Sequence, residues 1–178
     1  MSTEACNGIS GSAIAEALKK AGVSHVVTVP DWVQLPLHRA VAKDGSGVAL
    51  INCCTEHEAF MIAAGLYCGG KRPAVVIQNQ GLYAGLNALR GVGLDANVPL
   101  VMLIGQFGRE PDNRAASTTT SKRRIVRLLD PLLKLLEIKS WTIDAVKEIG
   151  RLEDAFEWAW ENRSPAAIVF ERNLEWDA

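Results

Sequence analysis

The hydrophobic pattern of the chain changes period repeatedly. Ile14, Ala17, Leu18 and Ala21 recur at helical spacing behind the cap candidates Ser10 and Ser12, which predicts a first helix. Residues 24–29 then read as a β-branched strand stopped by Pro30, residues 35–42 as a short helix, and residues 48–53 as a second strand. Thr55-Glu56-His57-Glu58 has the form of a capping box, opening a helix that runs to Tyr67 and stops at Gly69-Gly70. Residues 73–78 form a third strand, followed by a helix over 82–90. Residues 98–104 form a fourth strand, whose unbroken apolar run suits burial on both faces. Beyond a polar stretch to Ser121, the leucine-rich residues 125–136 predict a helix that Pro131 kinks or restarts. A strand over 138–143, a helix over 144–161 and a strand over 166–170 complete the series.

Short strands alternating with helices specify an α/β fold: a six-stranded parallel sheet with helices on both faces, as one domain over residues 1–178. Ligands of such sheets bind beyond the carboxyl ends of the strands. That directs attention to Pro30-Asp31-Trp32, Thr55-Glu56, Asn79-Gln80-Gly81-Leu82 and residues 106–120.

Composition narrows the partners. The chain has 178 residues, 48% hydrophobic and 22% charged, with 19 basic against 20 acidic side chains. That balance does not favour nucleic acid or anionic lipid. Its longest apolar run, residues 98–104, is far short of the roughly 18 residues of a membrane span. Met1-Ser2-Thr3-Glu4 lacks the basic and apolar regions of a signal peptide, so a soluble, cytoplasmic domain is expected. Cys6, Cys53, Cys54 and Cys68 show no metal-binding spacing and read as small hydrophobes in a reducing compartment, with no metal site. No G-x-G-x-x-G follows the first strand, and neither a P-loop nor a nucleophile elbow occurs.

The segment from Thr55 to Tyr67 carries most of the chemistry. Glu56 stands at a strand-to-helix junction, where backbone donors favour its ionised form. Ala59, Ala63, Ala64 and Gly65 make the helix thin enough for another surface or a flat ligand to approach. Periodicity alone also permits an ordinary first-turn acid on a helix packed against the sheet. Glu58, two positions on, points away from Glu56 and suits a capping or subunit contact. His57 reads as an exposed helix histidine or a general acid, His25 and His38 as structural, and Trp158 and Trp160 as core or interface anchors.

With these residues in place, the chain resembles the pyrimidine-binding domain of thiamine diphosphate-dependent enzymes. Those domains carry a glutamate after the second strand and a glycine nine positions later, the separation of Glu56 and Gly65. Gln78-Asn79-Gln80-Gly81-Leu82 with Asn87-Ala88-Leu89 is similar to the QN-x-G-L…N-x-L pattern of sulfopyruvate and phosphonopyruvate decarboxylases. Pro99 to Ile104, Gly108-Arg109-Glu110 and Leu128 to Leu133 resemble that subgroup as well. The resemblance extends from the first helix to the last strand. It implies that Glu56 hydrogen-bonds N1′ of the cofactor aminopyrimidine and favours its imino tautomer, while the thiazolium is the electron sink for decarboxylating a 2-oxo acid. It implies that Gln78, Asn79, Gln80, Gly81 and Leu82 face the cofactor, although Asn and Gly there also suit ordinary turn geometry. Asp31, Trp32, His57 and Arg109 become candidates for substrate contact. Arg114 could also bind an anion, or simply belong to a solvated loop.

Two departures bear on the substrate. Relatives carry a small residue or cysteine after the proline where this chain has Asp31, which would repel a sulfonate or phosphonate in the pocket. Thr118-Thr119-Thr120-Ser121 replaces a family glycine. The GDG motif that holds diphosphate and Mg²⁺ in the second domain of these enzymes is missing, since Lys43-Asp44-Gly45 reads only as a surface turn. The resemblance therefore implies the α-type subunit of a two-subunit thiamine diphosphate-dependent decarboxylase. A β-type partner would supply the diphosphate and Mg²⁺ site, in a hetero-oligomer with at least two copies of each chain. A non-catalytic assembly subunit and a carboligase subunit are the alternatives.

Overall fold

A computed structural model describes residues 8–43 and 45–177. The start of the chain with Cys6, and Asp44 of the Lys43-Asp44-Gly45 turn, lie outside the described residues. Six parallel strands form one sheet: β1 (His25–Thr28), β2 (Ala49–Asn52), β3 (Pro73–Gln78), β4 (Val101–Gly105), β5 (Lys139–Thr142) and β6 (Ala166–Phe170), in the order β2-β1-β3-β4-β6-β5. The α/β architecture read from the sequence is the one observed. Register is set by the strand ends: Thr28 lies beside Asn52, Gln78 beside Gly105, and Gly105 beside Phe170. The loops after these strands therefore emerge along one edge.

Strand alternation divides the core. One face buries Val26, Val76, Leu103 and Ile168 under α1 (Gly11–Lys20), α2 (Leu35–Val41) and α8 (Arg151–Asn162). The other buries Val27, Val75, Ile77, Met102 and Val169 under α3 (Glu56–Cys68) and α7 (Leu129–Leu135). The central strands β4 and β6 are buried along their whole length, as their apolar runs require. Ser10 caps α1 by accepting the Ala13 N–H. Trp158 and Trp160 are structural: Trp158 meets Trp141 edge-on at 6.3 Å, and Arg72 lies 4.7 Å over the Trp160 ring. Among the described residues no helix is long and apolar enough to cross a membrane.

Three elements depart from the sequence pattern. The helix expected from Leu82 begins at Asn79 as α4 (Asn79–Ala84), directly from the extended Gln78, and continues through α5 (Leu86–Ala88) into a π-helical turn, Leu89–Asp95. The leucine-rich helix divides into α6 (Arg124–Arg127) and α7, with Pro131 in the first turn of α7, where its missing N–H costs little. The last helix starts at Arg151 rather than Asp144. The Glu148 carboxylate accepts the N–H groups of Asp144 and Ala145 at 2.8 and 3.1 Å, which closes a separate 3₁₀ turn, Val146–Glu148.

The chain returns to this edge near its end. Glu175 N–H donates to Ile9, the Gly11 N–H donates to Glu175, and Leu174 N–H donates to Val33 at 2.9 Å. These bonds tie the β1–α2 loop to both the first helix and the last described segment.

Candidate functional site

Glu56 is the first residue of α3. The helix start is secured by its neighbours: Thr55 Oγ1 accepts the Glu58 N–H at 3.2 Å, and Glu58 Oε2 accepts the Cys54 N–H at 2.8 Å. Glu58 is thus a capping residue, and among the described residues the Glu56 carboxylate has no hydrogen-bond or ion-pair partner. Glu56 is half-buried and His57 is exposed.

The Glu56 side chain lies against α4. A Cβ on Gly81 would stand 2.5 Å from Glu56 Cγ and 2.6 Å from Oε1. Gly81 has no positive φ, so it is required for space and not for a turn. Gly85 serves the same purpose one turn on, where a Cβ would lie 2.6 Å from the Phe60 ring. The two glycines let α3 and α4 approach closely enough to hold the carboxylate in place. Gly65 has open space around it, so the outer face of α3 is free at that point.

The amide-rich segment divides by role. Gln78 Nε2 donates to Gln80 Oε1 at 3.1 Å on the surface. Asn79 is fully buried, and its amide donates to the carbonyls of Phe107 and Ile125 at 3.2 and 3.3 Å. It tethers the β4–α6 loop and has no surface to offer a cofactor. Leu82 is likewise core, fully buried among the α3 side chains. Tyr83 completes the anchor by donating to the Ile125 carbonyl at 2.7 Å, and burial pushes its hydroxyl up to about 12.

Two expected substrate contacts are internal. Asp31 is 5% exposed; its oxygens accept the backbone N–H and side-chain amide of Gln34 at 2.8 and 2.9 Å. Gln34, unmarked in the sequence, also donates to the carbonyls of Ile77 and Leu103 and so joins β3 to β4. His38 closes the group by accepting the Asp31 N–H at 3.3 Å. Asp31 therefore does not present its charge to a ligand. Arg109 is also buried: Nη2 donates to Glu171 Oε1 at 2.9 Å and to the Ala116 carbonyl at 2.6 Å. It organises the loop through Nη2; its side chain is 1% exposed and so offers no surface to an external anion, while Nε and Nη1 are buried without a partner among the described residues. Burial pushes the Glu171 carboxyl above the ordinary range, against the opposing influence of the Ala115 N–H and Arg109.

Trp32 behaves differently from its neighbour, with 70% of its surface exposed. Adjacent Val33 packs over the end of β4, where a Cβ on Gly105 would lie 2.7 Å from it. Phe107, held through its carbonyl by Asn79, is 43% exposed. Glu56, Gln78, Gln80, Trp32 and Phe107 thus occupy the strand-end edge. The Thr118–Ser121 departure is structural. Thr118 and Asp130 exchange backbone-to-side-chain bonds at 2.9 and 3.2 Å at the start of α7, and Ser121 donates to Glu110 at 2.7 Å.

The pairing of a seated carboxylate with a glycine cradle suits an aminopyrimidine, which needs a hydrogen-bonding carboxyl beside a flat approach. The sulfopyruvate decarboxylase subunit alpha of Methanocaldococcus jannaschii is 26% identical over 166 residues, covering 93% of this chain and 94% of that protein. The protein of the same description from Methanothermobacter thermautotrophicus is 28% identical over 149 residues, covering 82% and 87%. A 2-succinyl-5-enolpyruvyl-6-hydroxy-3-cyclohexene-1-carboxylate synthase from Renibacterium salmoninarum is 32% identical over 111 residues, covering 61% of this chain and 20% of the synthase. Residues 10–122 match the thiamine pyrophosphate enzyme N-terminal TPP binding domain, and the chain belongs to that family.

Proposed function

We propose that this chain is the α-type subunit of a two-subunit thiamine diphosphate-dependent 2-oxo acid decarboxylase. The observation that carries the reading is the Glu56 carboxylate, which has no partner among the described residues and is seated on Gly81 at the strand-end edge. Glu56 would meet N1′ of the aminopyrimidine, with the Gln78 and Gln80 amides beside it. When bound, the cofactor supplies an electron sink for the pair left as CO₂ departs. This chain's part is to hold a proton at the Glu56 carboxyl and to keep that carboxyl fixed by the α3–α4 contact. Trp32 and Phe107 form apolar surface on the same edge that suits exclusion of water and contact with a second subunit. The diphosphate and Mg²⁺ are assigned to a β-type partner, in an assembly with at least two copies of each chain.

The names of the two relatives, sulfopyruvate decarboxylase subunit alpha, support a 2-oxo acid with an anionic tail as the substrate class. Because Arg109 is committed to Glu171, the cation for such a tail would come from elsewhere on the edge or from the partner. Co-purification with the partner, followed by CO₂ release assays on 3-sulfopyruvate, phosphonopyruvate and aromatic 2-oxo acids, tests the reading. The single chain is expected to be inactive and the complex active. Glu56→Gln is expected to lower turnover by about 10²-fold or more. Sustained decarboxylation by the chain alone refutes the two-subunit assignment, and unchanged turnover of Glu56→Gln assigns the chain to assembly. The synthase relative favours carboligation as a second reading. It predicts a condensed product in place of the released aldehyde when the complex is given a second carbonyl compound.

A further inference from the structure

A second recess opens on the same edge, over the ends of β4, β6 and β5. Its volume is about 480 Å³ and its walls include Gln106, Asp130, Ser140, Thr142, Asp144 and Glu171. It is separate from the Glu56 site. In the strand order, β1, β3 and β4 lie between β2, which leads to Glu56, and β6, which leads to Glu171. Its lining shares no residue with the Glu56 site, whose carboxylate rests on Gly81 just after β3. The recess is large enough for a small molecule, since such sites run from about 300 to 1,000 Å³.

The walls carry acceptors in excess of donors. Asp130 spends one oxygen on the Thr118 N–H and Asp144 one on the Glu171 N–H; among the described residues neither is ion-paired. The other two carboxylates in the wall, Glu171 and Glu148, already have Arg109 and Arg151 as partners. An independent observation is Gln106. It is 4% exposed, lines the recess, and its Oε1 is buried without a hydrogen-bond partner. A buried acceptor left unpaired is unfavourable, and a donor from a ligand would remove that cost.

We propose that this recess binds a small organic cation, a primary ammonium or guanidinium compound, through Asp130, Asp144 and the Gln106 carbonyl oxygen. An anion is excluded by the two carboxylates that lack cationic partners. A divalent metal fits poorly. Among the described residues no three His, Cys, Asp or Glu groups are placed to hold one, whereas Ca²⁺ takes about six to eight oxygens. N–H donors need only the single oxygens that Asp130 and Asp144 retain, and the Ser140 and Thr142 hydroxyls can accept the rest. Burial raises the Glu171 carboxyl and the nearby Asp144 charge adds to the effect, so a bound cation would also relieve the repulsion there.

Calorimetric titration of the full chain at low salt with agmatine, n-butylammonium, n-butanol and acetate tests the assignment. Saturable one-site binding is expected for agmatine and n-butylammonium and for neither of the others. Asp144→Asn and Gln106→Leu are each expected to weaken agmatine at least about tenfold, while the exposed change Glu16→Gln leaves it unaltered. Gln106→Leu removes no helix cap and so separates binding from folding, which circular dichroism checks. Absence of saturable binding, equal affinity in all three variants, equal binding of n-butanol, or tighter binding of Mg²⁺ or Ca²⁺ than of agmatine would each overturn the proposal.

Discussion

Replacing Gly81 by alanine puts a methyl group 2.5 Å from Glu56 Cγ and 2.6 Å from Oε1, well inside contact distance. The backbone there has no positive φ and accepts alanine. Helix propensity even favours the change by about 1 kcal/mol. Overpacking opposes it by about 1–3 kcal/mol, so the net loss of stability is about 0–2 kcal/mol and the variant folds. Relief of the clash moves the carboxylate by roughly 1 Å, and a displacement of that size at a reacting group costs on the order of 10²-fold in rate. The assay is kcat/KM for CO₂ release by the complex with its partner, beside a thermal melt of the chain. In a Glu56→Gln background the same substitution is expected to add almost nothing, because its effect passes through the displaced carboxylate. Turnover within about threefold of wild type, or an equal loss in both backgrounds, would refute the reasoning.

Arg109→Met is expected to destabilise the chain by about 3–5 kcal/mol in urea, since it leaves Glu171 buried without its cation. A raised KM with unchanged stability would instead put Arg109 on the substrate. Glu148 is held below its ordinary value of 4.5, first by the Asp144 N–H and also by Arg151. Its unfolded form therefore binds a proton at higher pH than the native form, and its contribution fades as pH falls through that window. Melts at decreasing pH should accordingly show a shallower acid loss for Glu148→Gln than for wild type; parallel curves would contradict this. Trp32→Ala, at a largely exposed position, should leave stability within about 0.5 kcal/mol. It should weaken partner assembly or kcat/KM in the complex, and no change in either measurement would remove Trp32 from the working edge.

The legible parts of the molecule are those set by local pattern. Alternating and continuous apolar runs located every strand, and Thr55 with Glu58 marked the start of α3 because a helix cap needs only residues three apart. Glu56 was singled out through the family resemblance that its spacing to Gly65 carries, since periodicity alone equally allowed an ordinary first-turn acid. The role of Gly81 was not, because its necessity comes from a side chain on another helix, which no local rule encodes. Charge read in one dimension misled for the same reason. Asp31 and Arg109 look like ligand contacts in polar loops, yet Gln34 and Glu171 enclose them, and Glu171 lies 62 residues from Arg109. The start of α4 was misplaced because the sequence pattern treated amides as turn formers. Here the Asn79 amide instead finds carbonyls in the β4–α6 region, and the chain goes directly into a helix.

The bonds joining Glu175 to Ile9 and Gly11, and Leu174 to Val33, have a consequence for the order of events in folding. Among the described residues the Glu175–Ile9 bond closes the longest loop, and contacts of such separation are made only after the entropy of the intervening chain has been spent. The sheet must therefore be in place before the β1–α2 loop acquires its final support. Pulse-labelled hydrogen exchange should find the Leu174 amide among the last to gain protection. During synthesis the edge that presents Trp32 would remain unset until residues 174 and 175 emerge, so a chain interrupted before them would hold a nearly complete core and no finished surface for a partner.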